Sequence, residues 1–325
     1  MWVSHDLASV RGVMLPTPTN PRVALSMQLA VFVRADQTQP VMRAARPRMA
    51  GSNFGPYEVI APLAKGGMAT VYLAEHHTSG ERVALKVLAP HLATNPEVTA
   101  RLFAEHALAS RTHHVNVVDI RAARFARDGV PFLVMEHCEG ETLAEIAGEG
   151  LALPMITEIC AQVAAGLSAM HAAGVIHCDV KHDNVLVRVV DGELRVKVID
   201  LGVSRAVDEP ATDGDAIAGT PWCMAPEQWA GTPLPASDVY ALGCLLYELT
   251  TGTPPFDGSL PELMTAHLAQ RPARPSWLAP MPIELERIIL RALAKDPAAR
   301  PTMLAMADDL FALHDALTSQ ALRAG

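Results

Sequence analysis

"NVLVRVVDGELRVKVID", residues 184–200, is the stretch whose reading decides the fold. Two β-branched runs flank Asp191-Gly192, and an Asp-Gly pair in that setting is a strong hairpin signal. An antiparallel hairpin brings together residues equidistant from its turn. With Gly192 as centre, Asn184 falls opposite Asp200 at the open end. A carboxamide oxygen beside a carboxylate is a pair of hard ligands. It suits Mg²⁺, which takes few protein ligands and fills its shell with water and phosphate oxygens. The same two residues would equally serve to cap a hairpin.

The approach to the hairpin, "GVIHCDVKHDNVLV" at 174–187, puts Asp179 and Lys181 on the same loop. A carboxylate there can accept the proton of an alcohol attacking a phosphoryl group, which is worth about 10²–10⁴ in rate. A lysine there can hold the transferring phosphate and offset charge that develops on it.

Outward from this loop the chain changes character twice. Residues 1–55 are rich in Pro, Arg and small residues and are expected to be a disordered extension, with a short ordered piece near 23–33. The true start could lie near Met49. From Tyr57, "YEVIAPLAKGGMATVYLAEH" reads as strand, glycine turn, strand, "ERVALKVLA" is a third strand and "FLVMEHC" another. Asn95 as N-cap and Pro96 at the first helical position open a helix between them. Beyond residue 140 helices dominate. Ile156, Ile159, Val163, Leu167 and Met170 recur at helical spacing until Gly174 stops them. "SDVYALGCLLYELTTG", 237–252, is apolar nearly all round, the pattern of a helix buried on every side, with Ser237 or Asp238 as its cap. Further helices are expected in "PIELERIILRALAK" and "MLAMADDLFALHDALTSQAL". The layout is a small β-rich lobe and a larger helical one, with a ligand cleft between them.

Bulk properties narrow the function. The chain has 325 residues, 50% of them hydrophobic and 19% charged, so most of it should fold. A net charge of −9 argues against nucleic acid as a partner. The five cysteines (138, 160, 178, 223 and 244) form no C-x-x-C pair, so a reducing compartment fits better than a disulfide framework. His76-His77 and His113-His114 lack helical or acidic co-ligands for a metal. No apolar run is expected to reach the ~20 residues of a membrane span. The nearest, "VALSMQLAVFV" at 23–33, is too short and makes a poor signal peptide.

Residues 57–315 resemble the eukaryotic-type Ser/Thr protein kinases of bacteria, on many motifs in order. The resemblance implies an α+β, two-lobed protein kinase fold: a small β-rich N-lobe with one helix and hinge at 56–140, a larger α-helical C-lobe at 141–315, and a tail at 316–325. "LAKGGMATV" resembles the glycine-rich loop that covers the ATP phosphates, so Leu63, Ala64, Lys65, Gly66, Gly67, Met68, Ala69 and Val71 are assigned to ATP. Ala64 and Ala69 stand where the family pattern has its first and third glycines, which implies a stiffer loop. Lys86 of "VALK" is expected on the α- and β-phosphates and Glu105 as its helix partner. Met135 matches the gatekeeper, Glu136 and Cys138 the hinge, and Val71, Ala84 and Leu186 the residues that sandwich adenine.

"HCDVKHDN" matches the catalytic loop, making Asp179 the proton acceptor, Lys181 the loop lysine and Asn184 a metal ligand. "DLG" at 200–202 makes Asp200 the second ligand. Within "GTPWCMAPE", Thr220 is expected on Asp179 and Lys181, and Glu227 on Arg300; Asp238 would steady the catalytic loop. The implied cofactors are ATP and Mg²⁺, with Mn²⁺ as a substitute. The implied partners are protein substrates, and a homodimer for autophosphorylation. Because no span follows the kinase region, a cytoplasmic location is expected.

Cys178 stands where many relatives carry an Arg that binds a phosphorylated activation-loop residue. Activity is therefore expected to depend less on phosphorylation of Ser204, Thr212 or Thr220. Cys178 itself reads either as a small buried filler or as a redox-sensitive thiol. The alternative at the level of function is a pseudokinase, a nucleotide- or partner-binding module without turnover. A small-molecule kinase of related fold is disfavoured by "GTPWCMAPE" and "VYALGCLLYELTTG".

Overall fold

In the computed structural model, residues 51–148, 150–202, 204–207 and 219–324 are described. The expected ordered piece at 23–33 and the loop residue Thr212 lie outside them.

Alternating apolar residues fold the first part of the chain into an antiparallel sheet. Its strands are β1 (Asn53–Phe54), β2 (Tyr57–Lys65), β3 (Ala69–His76), β4 (Arg82–Leu88), β5 (Ile120–Phe125) and β6 (Pro131–Glu136). Their spatial order is β1-β2-β3-β4-β6-β5. Val59, Ala74, Val83, Leu85, Phe132 and Val134 form a small core of their own on this sheet. Phe54 joins that core, edge-on to Phe132 at 5.2 Å between ring centroids. The folded region therefore begins before residue 55: the last residues of the Pro- and Arg-rich stretch carry an aromatic anchor. Between β4 and β5 runs α1 (Pro96–Ala109), started as expected by Asn95, whose side chain accepts from the Glu97 N–H at 2.9 Å.

After β7 (Glu141–Thr142) and the short α2 (Leu143–Ala147) comes α3 (Leu153–Ala172), which ends where Gly174 takes φ +75°. By length and composition α3 could cross a membrane, but 56% of its apolar window is buried inside the fold. This differs from the expectation that no apolar segment reaches that length: Thr157, Glu158 and Gln162 interrupt the apolar pattern without lowering its mean enough. The helix packs mainly on the last helix and forms the spine of the larger core.

β8 (Val175–Ile176) leads into the catalytic-type loop, and β9 (Val185–Val190) and β10 (Glu193–Val198) form the expected hairpin. Its register differs by one residue from the sequence reading. Val190 faces Glu193 and Val185 faces Val198, so Asn184 comes opposite Ile199 and accepts its N–H at 2.9 Å. The reason is a two-residue turn with positive φ at both Asp191 (53°) and Gly192 (83°), which puts the symmetry centre between them. Asp200 is the next residue and leaves the strand with φ +63°.

The rest is β11 (Arg205–Ala206), which pairs with β8, then α4 (Pro226–Trp229), α5 (Pro235–Thr251), α6 (Leu260–Ala269), α7 (Ile283–Ala292) and α8 (Met303–Ala324). As expected, α5 is buried along most of its length. It starts earlier than Ser237 or Asp238, however. Pro235 sits in the first turn, where its missing N–H costs nothing. Ser237 Oγ accepts the Leu234 N–H at 3.0 Å from inside the helix, and Asp238 serves the neighbouring loop.

Candidate active site

The site is built from the buried end of β8 upward. Asp238, on α5 and 1% exposed, accepts the His177 N–H (2.9 Å), the Cys178 N–H (2.8 Å) and His171 Nε2 (2.8 Å). Burial alone would raise this carboxyl. The His171 hydrogen bond, the nearby His177 ring and the His177 N–H bring it below its ordinary value. Held this way, Cys178 adopts φ +68°, a left-handed conformation that is strained for a residue with a Cβ. Its carbonyl accepts from Gln228 Nε2 at 2.9 Å. The turn at Cys178 presents Asp179, whose N–H donates to His177 Nδ1 at 3.2 Å.

Around the Asp179 carboxylate the other expected residues converge. Thr220 Oγ1 donates to Oδ1 at 2.6 Å, Lys181 Nζ lies 2.8 Å from Oδ2, and Asn184 Nδ2 lies 3.2 Å from Oδ2. Lys181 also donates to Thr220 Oγ1 at 3.1 Å. Burial would lower the Lys181 pKa, but Asp179 reverses this, so the ammonium is held above its ordinary value. A hydroxyl, a carboxylate and a cation thus share one hydrogen-bond set, the arrangement needed to take a proton from an alcohol.

Above this loop Lys86 of β4 bridges α1 and the end of the hairpin. Its Nζ donates to Glu105 Oε1 (2.8 Å), Glu105 Oε2 (2.9 Å) and Asp200 Oδ1 (2.7 Å). Burial works against the ammonium, and the two carboxylates more than restore it. Burial would also raise Asp200, but Lys86 and the Gly202 N–H hold it below its ordinary value, so it stays ionised. Gly202 makes room for the cluster: a Cβ there would lie 3.1 Å from both Asp200 Oδ1 and Lys86 Nζ.

Asn184 and Asp200 come to the same end of the hairpin without hydrogen-bonding each other. Asn184 Nδ2 is spent on Asp179, through its backbone oxygen at 2.9 Å and its side chain. That leaves the carboxamide oxygen as the acceptor. With the ionised Asp200 it makes a donor set of hard oxygens that fits Mg²⁺.

The glycine-rich segment is a β2–β3 turn, closed by the Gly66 N–H on Ala69 O at 2.9 Å. Ala64 faces Val71 and Lys65 faces Thr70 across it, Leu63 and Met68 are exposed, and Gly67 lies in the turn. Ala84 is buried and faces Met135 across the β4–β6 pair, while Val71 and Leu186 are half-buried. The hinge holds a surprise at Glu136. Its N–H donates to Asp119 O, and its carboxylate accepts from the Asp119 N–H and from Lys197 Nζ. Cys138, two residues on, has its thiol pushed up to about 12, first by burial and then by Glu136.

Far from the cleft, Glu227 and Arg300 form a bidentate pair at 2.6 and 2.9 Å. The sequence reading missed His171, His177, Gln228 and Gly202. His177 heads a motif that was in plain view. Gly202 ends the "DLG" motif and was in view as well; His171 and Gln228 act through contacts that only the tertiary structure reveals.

A family model described as "protein kinase domain" matches residues 57–312. The chain belongs to the protein kinase domain family. Within it, the chain is 39% identical over 275 residues to the serine/threonine-protein kinase Pkn1 of Myxococcus xanthus, covering 82% of this chain and 39% of that protein. It is 37% identical to the probable serine/threonine-protein kinase PknB of Corynebacterium glutamicum, with 82% and 44% covered. The chain thus spans about two fifths of the length of these curated relatives. Among solved structures, the Mycobacterium tuberculosis PknI kinase domain superposes with a TM-score of 0.63 at 26% identity, covering 80% of this chain and 97% of that one.

Proposed function

We propose that this protein is an ATP-dependent, non-specific serine/threonine protein kinase that transfers the γ-phosphoryl group to protein hydroxyls, its own included. The observation that carries this is the Asp179 carboxylate, which accepts a threonine hydroxyl on Oδ1 at 2.6 Å while Lys181 reaches Oδ2 and that hydroxyl oxygen. Thr220 shows the geometry in which a hydroxyl approaches the base. Asp179 takes the proton of the attacking alcohol as the new P–O bond forms and the bond from the γ-phosphorus to the β,γ-bridging oxygen breaks, releasing ADP. Lys181 stays protonated and steadies the transferred group. Lys86, positioned by Glu105, meets the phosphates of the nucleotide, and the β2–β3 turn offers backbone N–H groups to them. Asn184 and Asp200 would hold Mg²⁺, which supplies charge neutralisation across the phosphate oxygens when bound. Asp238 and Gln228 hold the loop backbone, so that Asp179 is aimed before substrate arrives.

The retained Lys86, Glu105, Asp179, Asn184 and Asp200 favour turnover over a pseudokinase. The placement of Cys178 supports lower dependence on loop phosphorylation, because its buried side chain offers no cation to a phosphate. Ser204 Oγ instead donates to the His177 carbonyl at 3.3 Å, tying that segment to the loop without modification. Proteins are the proposed substrates, and the cytoplasm is the proposed location.

Transfer of radiolabel from ATP to a protein substrate, native against Asp179→Asn, tests the reading. The variant is expected to lose about 10²–10⁴ in rate with its melting temperature unchanged. Equal labelling by both proteins, or none by either, refutes it.

A further inference from the structure

Alongside the hinge the molecule carries a groove of about 1070 Å³. Its walls are α3, the β9–β10 hairpin, α8 and hinge residues Glu136–Glu139. That volume exceeds the usual small-molecule range. The groove's rim carries three exposed apolar side chains among charged ones. Val115 is 76% exposed, Val189 61% and Phe311 39%, and all three line this one groove. Exposed apolar residues gathered in one place mark a binding surface.

The groove also has a charge pattern. Three of its acids are matched by bases on its own walls: Glu136 by Lys197, Glu139 by Arg188 and Glu193 by Arg195. Glu158 of α3 has no cationic partner among the described residues; its one neighbour is the Gln162 amide at 3.5 Å. The surface asks for an apolar segment carrying positive charge.

The chain contains such a segment. "RVALSMQLAVFVR", residues 22–34, is an apolar run bracketed by Arg22 and Arg34. Residues 1–50 carry six Arg and two Asp, a net +4, so residues 51–325 carry −13 of the total −9. From Arg34 to Gly51 the 17 intervening steps span up to about 55 Å when extended. That is about the breadth of a folded domain of this size.

We propose that residues 23–33 of the chain's own N-terminal segment dock in this groove, with a flanking arginine on Glu158. Two ion pairs, Glu136–Lys197 at 2.5 Å and Glu139–Arg188 at 2.6 Å, tie the hinge to the groove wall. Docking there is therefore read by the strand and hinge that border the nucleotide cleft.

Hydrogen exchange on the full chain tests this, at two protein concentrations a hundredfold apart. The native protein is expected to protect amides of 23–33 at least 10-fold over random-coil rates, equally at both concentrations. Phe32→Asp and, separately, Val189→Asp should each abolish that protection and speed exchange in the 186–197 hairpin and in 311–318. Val189 is 61% exposed, so Val189→Asp should leave the melting temperature unchanged. Random-coil exchange of 23–33 in the native chain overturns the proposal. So does protection that vanishes on dilution, which would make a second copy the occupant. So does protection that survives Val189→Asp, which would place the segment elsewhere.

Discussion

Two ion clusters in this molecule use the same chemistry and do opposite things. In the cleft, Lys86 is shared between Glu105 and Asp200, and the Asp200 side chain is half exposed. Beneath the large lobe, the Arg300 side chain is fully buried and pairs with Glu227 through both nitrogens. Its remaining donors meet the carbonyls of Ala294, Ala236 and Lys295. Ser237 completes Glu227 with a hydroxyl at 2.6 Å. Nothing is left over for a ligand. The cleft cluster is open where a nucleotide and cation would enter, and its lysine is matched by two acids. The lower cluster is closed and joins α4, α5 and the segment after α7. A closed, fully satisfied pair fixes structure, whereas an open one leaves charge available for chemistry.

The largest effect is expected from breaking the closed cluster. Arg300→Met leaves Glu227 buried without its cation, which costs about 3–5 kcal/mol of stability. Denaturant unfolding should show it, and any lost activity should follow the fraction unfolded. Next comes Asp200→Asn in the open cluster. It leaves the Lys86–Glu105 pair intact and removes an exposed charge, so stability should change by less than about 1 kcal/mol. Phosphoryl transfer should nonetheless fall by about 10²–10³. If Asp200→Asn unfolds the protein, or Arg300→Met slows transfer without destabilising, the contrast between the clusters is wrong.

The smallest effect concerns Lys295, which borders the closed cluster. Its Nζ donates to Tyr240 Oη at 3.0 Å and lies 4.4 Å from the centre of the Phe256 ring, with no salt bridge among the described residues. Burial is the main cause that lowers its pKa to about 8 from 10.5; Cys244 opposes it, and Arg300 adds a smaller lowering. Between those values the unfolded chain binds the proton that the folded chain has released, so folding stability rises with pH across that window. Subtracting the pH profile of Lys295→Met from that of the native protein should isolate this rise. A flat difference between pH 8 and 10.5 would mean that the lysine is not depressed.

Much of this architecture is written locally. The β9–β10 hairpin follows from an Asp-Gly turn between β-branched runs, and α1 from Asn95-Pro96. Where the sequence reading slipped, a local rule met a tertiary demand. The hairpin register moved by one residue because both turn residues adopt positive φ. The start of α5 moved because Asp238, which looks like a cap, is spent on the backbone of His177 and Cys178. Asp179, Lys181, Asn184, Thr220 and Asp200 are legible because their order along the chain matches a family pattern. Gln228 and His171 are not, since their roles depend on the fold bringing the Cys178 carbonyl and the Asp238 carboxylate within 3 Å of them. The groove alongside the hinge is equally invisible, assembled from segments spread between residues 115 and 318.

The central claim is that Asn184 and Asp200 together hold the cation that Asp179 works beside. A crystal grown with Mg²⁺ and a non-hydrolysable ATP analogue tests it most directly. The account predicts a cation at about 2.0–2.1 Å from the Asn184 carboxamide oxygen and from an Asp200 carboxylate oxygen, bridging the phosphates. A nucleotide bound with its cation contacting neither side chain would contradict it.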